Sequence, residues 1–281
     1  MGSKKTTLGG RYRLLGSAAH GPSGTVWRAK DELLDRFVTV RQLSGCPFDA
    51  AHSDRVRAKV IRDARVAIRL RHPNAIVLHD VFELDGTPYV VTEHLAARTL
   101  SEVLEQNGSL PPGRVAALGA RLASALAAAH ADGILHRDIS PDNVLITDDG
   151  SVKLTGFGLS TGDSPAYLAP ETTRGAVPGF PADVFSLGAT LYAAIEGQPP
   201  SGAVPPRTHG PVIDAVLGLL HPAPAARPTM AQAEQLLTGL ATFRPVARAV
   251  APRAHVRVVV AGTVLVLVIG AVALSRSAKS A

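Results

Sequence analysis

The spacing of hydrophobic and polar positions changes several times along the chain. Residues 11–40 alternate apolar and polar side chains around a glycine-rich turn, which predicts two strands joined by a loop. Residues 54–71 repeat apolar side chains at helical spacing, whereas residues 89–95 form an apolar run typical of a buried strand. Residues 113–132 are rich in Ala and Leu. The pattern therefore predicts a strand hairpin, a helix, a buried strand and a second helix, in that order.

The helix predicted over residues 54–71 has two chemically different faces. Its apolar face includes one acid, Asp63, and an unpaired carboxylate among apolar residues would cost free energy. The members of this face are Val56, Val60, Asp63, Ala67 and Leu70. The other face is basic and consists of Arg55, Lys59, Arg62 and Arg69, with Arg57, Arg65 and Arg71 nearby. Such a face indicates an acidic or phosphorylated protein partner, an anionic lipid surface, or an ordinary solvated helix.

Near the end of the chain, residues 258–274 form an uncharged apolar run of 17 residues. A helix of this length covers about 26 Å, so with flanking arginines it predicts one transmembrane helix; the alternative is a buried core helix. More cations precede the run than follow it, which places the preceding domain in the cytoplasm. Residues 241–257 then form a basic juxtamembrane linker, and residues 275–281 form a short external tail.

Composition narrows the class of protein. The chain has 281 residues, enough for a sizeable core, and with only 4% aromatic residues that core must consist mainly of Ala, Val and Leu. The single Cys46 excludes an intrachain disulfide framework and fits a reducing compartment. The net charge of +6 is concentrated near residues 55–71 and 244–257. This favours two local basic surfaces and no general binding of nucleic acid.

One segment carries a specific chemical motif. Residues 136–143 read HRDISPDN and are followed by Phe157-Gly158 and by Ala169-Pro170-Glu171. Together with Asp183 and Arg227, this spacing resembles the bacterial Ser/Thr protein kinases over residues 11–240. By this resemblance, Arg227 is expected to bridge to Glu171. The resemblance implies an α+β, two-lobed fold with a small β-rich lobe containing one helix and a larger helical lobe. Residues 1–10 would be an N-terminal tail.

The resemblance also implies which residues would catalyse phosphoryl transfer. Asp138 matches the base that accepts the proton of the substrate hydroxyl, and Asn143 matches a metal ligand. Ser140 replaces a lysine that contacts the γ-phosphate. Gly156 replaces the aspartate that holds the Mg²⁺ ions, and glycine has no side chain to bind a metal.

A second set of residues matches positions that surround the nucleotide in this family. Gly21, Gly24 and Val26 match the glycine-rich loop. Arg41 replaces the lysine that grips the phosphates, and Asp63 replaces its glutamate partner, so an Arg41–Asp63 ion pair is expected. The residues expected around adenine are Thr39, Thr92, Glu93, Leu95 and Leu145.

The altered residues nearly all face the nucleotide, whereas the scaffold residues are retained. This favours a membrane-anchored pseudokinase that acts by binding in Ser/Thr kinase signalling, with ATP at best a weak ligand and Mg²⁺ poorly held. The alternative is a weakly active ATP-dependent Ser/Thr kinase that uses Asn143 with Asp142 or Asp163 as substitute metal ligands. A third class, a purely structural anchor, fits the intact scaffold less well.

Overall fold

The computed structural model describes residues 7–21, 24–43, 50–159, 164–201 and 205–241, with the backbone alone for residues 17–21 and 50–57. These residues form a small lobe, built on a six-stranded sheet and one helix, and a larger helical lobe. The predicted two-lobed α+β architecture is confirmed.

The small lobe is built on an antiparallel sheet with the strand order β1-β2-β3-β4-β6-β5. The predicted hairpin is confirmed as β2 paired with β3, and a further strand, β4, falls in the same region. Residues 7–8, expected to belong to an N-terminal tail, instead add a short edge strand in which Leu8 is buried. The strands are β1 (Thr7–Leu8), β2 (Tyr12–Gly21), β3 (Gly24–Asp31), β4 (Arg36–Gln42), β5 (Leu78–Leu84) and β6 (Thr87–Glu93).

Alternation along β4 determines which of its side chains face the site. Val38 and Val40 are fully buried in an apolar cluster with Tyr12 and Val91 on one face of the sheet. Because successive side chains of a strand point to opposite faces, Thr39 and Arg41 lie on the other face.

Helix α1 (Ala50–Ala67) packs beside the sheet through Ala64, which is buried in a cluster with Leu78 and Val90. The helix ends four residues before the predicted boundary at Arg71. Pro73 disfavours helical conformation at His72, so the chain turns before that point.

The helical lobe is built around α3 (Pro112–Ala131) and α5 (Phe180–Glu196), which contribute more side chains to its apolar core than its other helices do. The helix predicted over residues 113–132 is confirmed as α3, and α5 is buried over most of its length. A three-stranded sheet, β7-β8-β9, lies at the start of this lobe. The elements are β7 (Ala97–Thr99), α2 (Leu100–Asn107), α3 (Pro112–Ala131), β8 (Val144–Thr147), β9 (Val152–Leu154), α4 (Pro170–Thr173), α5 (Phe180–Glu196), α6 (Pro211–Leu219) and α7 (Met230–Leu240).

None of the helices that the structure describes is both long enough and apolar enough to cross a membrane. The predicted transmembrane helix over residues 258–274 and the flanking segments lie beyond Ala241, outside the described residues. The anchor therefore stays a prediction.

Candidate active site

A buried carboxylate on α5, that of Asp183, holds the loop over residues 136–143 in place. Asp183 accepts hydrogen bonds from the backbone N–H of His136 at 2.9 Å and of Arg137 at 2.8 Å. Its Oδ2 also accepts a hydrogen bond from Nε2 of His130 at 2.9 Å. Arg137 has a φ of 70°, a left-handed conformation that a residue other than glycine adopts only when its surroundings hold it there.

His136 forms the buried centre of this loop. Its Nε2 donates to the carbonyl of Thr155 at 3.0 Å, and its Nδ1 accepts from the backbone N–H of Asp138 at 3.3 Å. Burial lowers the pKa of His136, so the imidazole is neutral and holds one tautomer. The ring meets Phe157 edge-on at 4.6 Å. His136 therefore ties the loop to the segment that carries Gly156.

Asp138 and Asn143 are joined to each other in the buried floor of the site. Nδ2 of Asn143 donates to the backbone carbonyl of Asp138 at 2.8 Å and to Asp138 Oδ2 at 3.0 Å. Asp138 Oδ1 and the hydroxyl of Ser140 are buried and have no hydrogen-bond partner within the described residues. An unpartnered carboxylate oxygen in a buried position is costly, so these two atoms mark where a ligand or water would be bound.

Gly156 lies directly beside this pair and has the backbone conformation of a glycine. Its φ is +97°, and a Cβ added there would lie 3.3 Å from Asn143 Oδ1 and 3.5 Å from His136 Cε1. An aspartate at this position would be strained at its backbone, crowded at its Cβ, and close to another oxygen acceptor. The local backbone therefore suits glycine, and a larger residue at this position would require a small shift of Asn143.

These residues are a poor set of ligands for a divalent cation. Mg²⁺ prefers near-octahedral oxygen coordination and usually takes one or two carboxylates. Across the described segments, no group of three or more His, Cys, Asp or Glu residues could hold a metal. Asp142 is exposed beside the buried Asn143, and Asp163 lies outside the described residues. The donor set present does not fit the two-metal site of an active kinase.

The residues expected near adenine lie along the cleft face of the sheet. Thr39 pairs in register with Thr92 on the neighbouring strand, and its hydroxyl hydrogen-bonds Nδ1 of His94 at 3.1 Å. Burial, together with the charge of Arg28, lowers the pKa of His94, so this imidazole is neutral at neutral pH. The Thr39–His94 contact links strand β4 to the segment between the lobes.

That connecting segment is held by side chains as well as by the backbone. Glu93 Oε1 accepts from the backbone N–H of Val77 at 2.8 Å and from Lys153 Nζ at 2.6 Å. Lys153 pairs in register with Leu145, so Leu145 lies on the face of the small sheet that is directed toward Glu93. The carbonyl of Glu93 also accepts from the hydroxyl of Thr92 at 3.2 Å. Leu95, two residues further on, is half-buried.

The glycine-rich turn is described only at its two sides. Gly21 and Gly24 pair with each other at the ends of β2 and β3, and Val26 pairs in register with Arg41. Residues 22–23 between them lie outside the described residues.

The expected ion pair between Arg41 and Asp63 does not form. Arg41 is half-buried, and burial lowers its pKa while the charge of Asp138 acts in the opposite direction. Among the described residues, no carboxylate lies within ion-pair distance of Arg41. Arg41 is therefore a cation close to Asp138 with no ion-pair partner among the described residues, and such a group favours an anionic ligand.

Asp63 instead connects α1 to the catalytic loop. Its Oδ2 accepts a hydrogen bond from Lys59 Nζ at 2.7 Å and a second one from the guanidinium of Arg137. Burial alone would raise the pKa of Asp63, but the hydrogen bonds from Lys59 and Arg137 outweigh it and hold the pKa below its usual range. The side chain is 28% exposed and lies at the edge of the helix, not among the apolar residues as its position in the pattern predicts.

We expect Asp63→Ala to lower the stability of the domain by about 1 kcal/mol, because it removes two partly exposed ion pairs. Arg65→Ala, on the exposed face of the same helix, should change stability by less. Since the folded-state pKa of Asp63 is depressed, this stabilisation is present above the ordinary carboxyl pKa and is lost as the pH falls through the folded value. Thermal melts of the full chain at neutral pH and at pH about 3 measure both effects. Equal melting temperatures for the two variants at neutral pH would contradict the assignment.

The scaffold pair expected between Glu171 and Arg227 is confirmed. Arg227 donates to both carboxylate oxygens of Glu171, at 2.6 and 2.8 Å. Glu171 follows the short segment that leaves Gly158, so this pair fixes the far end of that segment to the helical lobe.

The sequence identified Asp63 and Thr39 as site residues but not the side chains that bind them. Lys59 could have been assigned to Asp63, because residues four apart on a helix are neighbours. Arg137 and His94 carried no such signal. Their contacts with Asp63 and Thr39 join positions 74 and 55 residues apart in the chain.

The geometry can be compared with known proteins. A family model described as "Protein kinase domain" matches residues 12–251. The chain is 34% identical over 206 residues to serine/threonine-protein kinase PrkC of Bacillus subtilis, covering 69% of this chain and 31% of PrkC. It is 32% identical over 212 residues to serine/threonine-protein kinase PknE of Mycobacterium tuberculosis, covering 70% and 37%, respectively.

A probable serine/threonine-protein kinase of Clostridium perfringens is 31% identical over 214 residues, covering 72% of this chain and 31% of that protein. The chain therefore spans roughly a third of the length of these curated relatives, between 31% and 37%.

Proposed function

Given that the chain belongs to the protein kinase family, of which the curated relatives it matches are bacterial Ser/Thr kinases, we propose that it is a pseudokinase that acts by binding. The observation that carries the proposal is the glycine at position 156, because active members of the family hold Mg²⁺ there through a carboxylate. The backbone φ of +97° and the 3.3 Å between an added Cβ and Asn143 Oδ1 suit a glycine at this position.

The contacts around Arg41 support the same proposal. In active kinases, the ion pair between the strand lysine and the helix acid must be in place for phosphoryl transfer. Here Asp63 is bound to Lys59 and Arg137, and Arg41 has no carboxylate partner among the described residues. Phosphoryl transfer depends on cations placed around the charge that develops on the phosphate. A cation at position 41 that is not held by the acid of α1 would therefore contribute little to catalysis.

Kinases in general use ATP and Mg²⁺, and the cleft of this chain keeps part of what ATP binding requires. Arg41 supplies a half-buried positive charge, and Asp138 Oδ1 and Ser140 Oγ are buried without partners in the described residues. The Thr39–His94 contact occupies space beside the expected adenine position. We therefore propose weak binding of ATP with little contribution from Mg²⁺.

The membrane part of the proposal rests on the sequence alone. The uncharged run over residues 258–274 and the arginines that precede it support a single-pass anchor in the cytoplasmic membrane, with the kinase-like domain in the cytoplasm. Fractionation of cells that express the tagged full chain, followed by extraction at high pH, tests the anchor. Release of the chain without detergent would contradict it.

We expect the full chain to transfer phosphate, to itself or to a basic protein substrate, at less than about a thousandth of the rate of an active relative, because several cation contacts are displaced together. Labelled ATP with Mg²⁺ and, separately, Mn²⁺ measures this rate, and Asp138→Asn is the matched control. Incorporation that is well above background and disappears in Asp138→Asn would contradict the proposal. Thermal melts with ATP, with and without EDTA, separate a chain that binds nucleotide from one that does not.

A weakly active Ser/Thr kinase is the second candidate function. The unpartnered Oδ1 of Asp138 favours it, because a catalytic base needs one oxygen available to the substrate hydroxyl. Activity of this kind would require Asn143 and Asp142 or Asp163 to hold the metal. Loss of Mn²⁺-dependent transfer in Asp142→Asn or Asp163→Asn would support this candidate over the pseudokinase.

A further inference from the structure

Among the described side chains of α1 and of the turn that follows it, Arg62, Arg65 and Arg69 are exposed on the outer surface. The helix ends at Ala67, but the backbone N–H of Ile68 still bonds the carbonyl of Ala64 at 3.1 Å. The turn therefore continues the helical path, and the three side chains form one row with spacings of three and four residues. We call this row the arginine stripe.

The side chains of the arginine stripe have no hydrogen-bond or ion-pair partner among the described residues, unlike the neighbouring cations Lys59 and Arg71. Lys59 is bound to Asp63, and Arg71 donates to the carbonyls of Ile68 and Leu70. In the part of the chain that the structure describes, no carboxylate pairs with the stripe. Adjacent like charges on a helix are unfavourable, and although the negative end of the helix dipole offsets part of this cost, it gives the guanidinium groups no hydrogen-bond acceptor.

One exposed apolar side chain adjoins the stripe. Val66 is 46% exposed and lies on the same outer side of the helix, next to Arg62. A row of arginines beside one exposed aliphatic side chain is complementary to a helix that carries acids at matching spacing beside a small apolar residue. We infer that the arginine stripe docks an acidic helix of a protein partner.

The dimensions of the stripe favour a protein partner over a membrane surface. Val66 is the only large apolar side chain exposed on α1 among the residues described, which leaves too little apolar area to enter a bilayer. The guanidinium groups instead suit discrete carboxylate or phosphate groups that can be bound through two hydrogen bonds. The stripe lies outside the cleft, so the inference stands whether or not the chain binds ATP or transfers phosphate.

The test uses the full chain and a labelled helical peptide whose glutamates repeat with the spacing of the arginine stripe. Binding is measured by fluorescence anisotropy at two salt concentrations. Replacing Arg62, Arg65 and Arg69 together with Glu should weaken binding by about tenfold or more, because each attractive pair becomes repulsive. The matched control replaces Arg98, Arg121 and Arg174, which are exposed elsewhere, with Glu and changes the net charge equally. The control variant should bind the peptide nearly as well as the native chain.

Two further probes separate docking from simple charge attraction. A peptide of identical composition, with its glutamates distributed around the helix, should bind at least about fivefold more weakly. A peptide with phosphoserine in place of the central glutamate identifies whether carboxylate or phosphate is preferred. Equal binding of the two glutamate peptides, equal loss in both triple variants, or stripe-dependent binding to anionic lipid vesicles in preference to the peptide would overturn the inference. Thermal melts confirm that both triple variants remain folded.

Discussion

Asp183→Ala is expected to destabilise the domain by about 3 kcal/mol or more, because three donors would lose a common buried acceptor. The donors are the backbone N–H groups of His136 and Arg137 and the Nε2 of His130, all within 2.9 Å of the carboxylate. An unsatisfied buried donor costs about 1–3 kcal/mol, and water has little access because Asp183 is 1% exposed.

The change should also affect the geometry of the catalytic loop. Arg137 holds a left-handed φ of 70° while its backbone N–H is bound to Asp183 and its guanidinium to Asp63. Without the first of these anchors, the strained conformation loses one of its two restraints. Asp183→Asn tests the charge separately, since the amide keeps the shape but turns one acceptor into a donor that faces another donor.

Urea denaturation of the full chain, followed by circular dichroism, measures the loss of stability. Fluorescence of Trp27, the single tryptophan, reports on the small lobe at the same time. Asp148→Ala is the matched control, because Asp148 is exposed in the turn between β8 and β9. If Asp183→Ala and this control unfold at the same urea concentration, Asp183 does not stabilise the catalytic loop.

Arg227→Met should destabilise the domain by about 3–5 kcal/mol, the cost of breaking a buried ion pair. All five N–H donors of Arg227 are used. Besides the two bonds to Glu171, they bind the carbonyls of His221, Pro181 and Pro222 at 2.8, 2.9 and 3.2 Å. The side chain of Arg227 is fully buried, so these acceptors cannot turn to water without a rearrangement.

Arg227→Lys should recover less than half of this loss. A lysine carries three donors on one nitrogen, and it cannot reach a carboxylate and three separate carbonyls as a planar guanidinium does. Arg114→Met is the matched control, since Arg114 is exposed and forms no ion pair in the described part of the chain. Native-like stability of Arg227→Lys would mean that charge alone, without the forked geometry, is sufficient.

The effect of Arg227 should depend on pH. The hydrogen bonds from Arg227 hold the pKa of Glu171 below its usual range, although partial burial acts in the opposite direction. A depressed folded-state pKa gives stability that is present above the ordinary carboxyl pKa and is lost as the pH falls through the folded value. The difference between the native chain and Arg227→Met should therefore shrink on acidification.

The sequence by itself determined the family, the hairpin, the two helices and the Glu171–Arg227 pair. These features depend on local periodicity or on motifs in which each residue is specific, such as the HRD segment at His136. The absence of a carboxylate at Gly156 is equally plain in the sequence. That the backbone there has adopted a φ of +97°, with Asn143 close to the missing Cβ, required the three-dimensional structure.

Only the tertiary structure decided which charges meet. Helical periodicity predicted Asp63 among the apolar residues of α1, and the resemblance suggested Arg41 as its partner. Asp63 is bound instead by Lys59 on its own helix and by Arg137, which is 74 residues away in the chain. The physical reason is that ion pairs depend on distances of a few ångströms between side-chain ends, whereas the sequence pattern specifies only which way each side chain leaves its own helix or strand. Where several cations can approach one carboxylate, the packing of α1 against the catalytic loop determines which of them binds it.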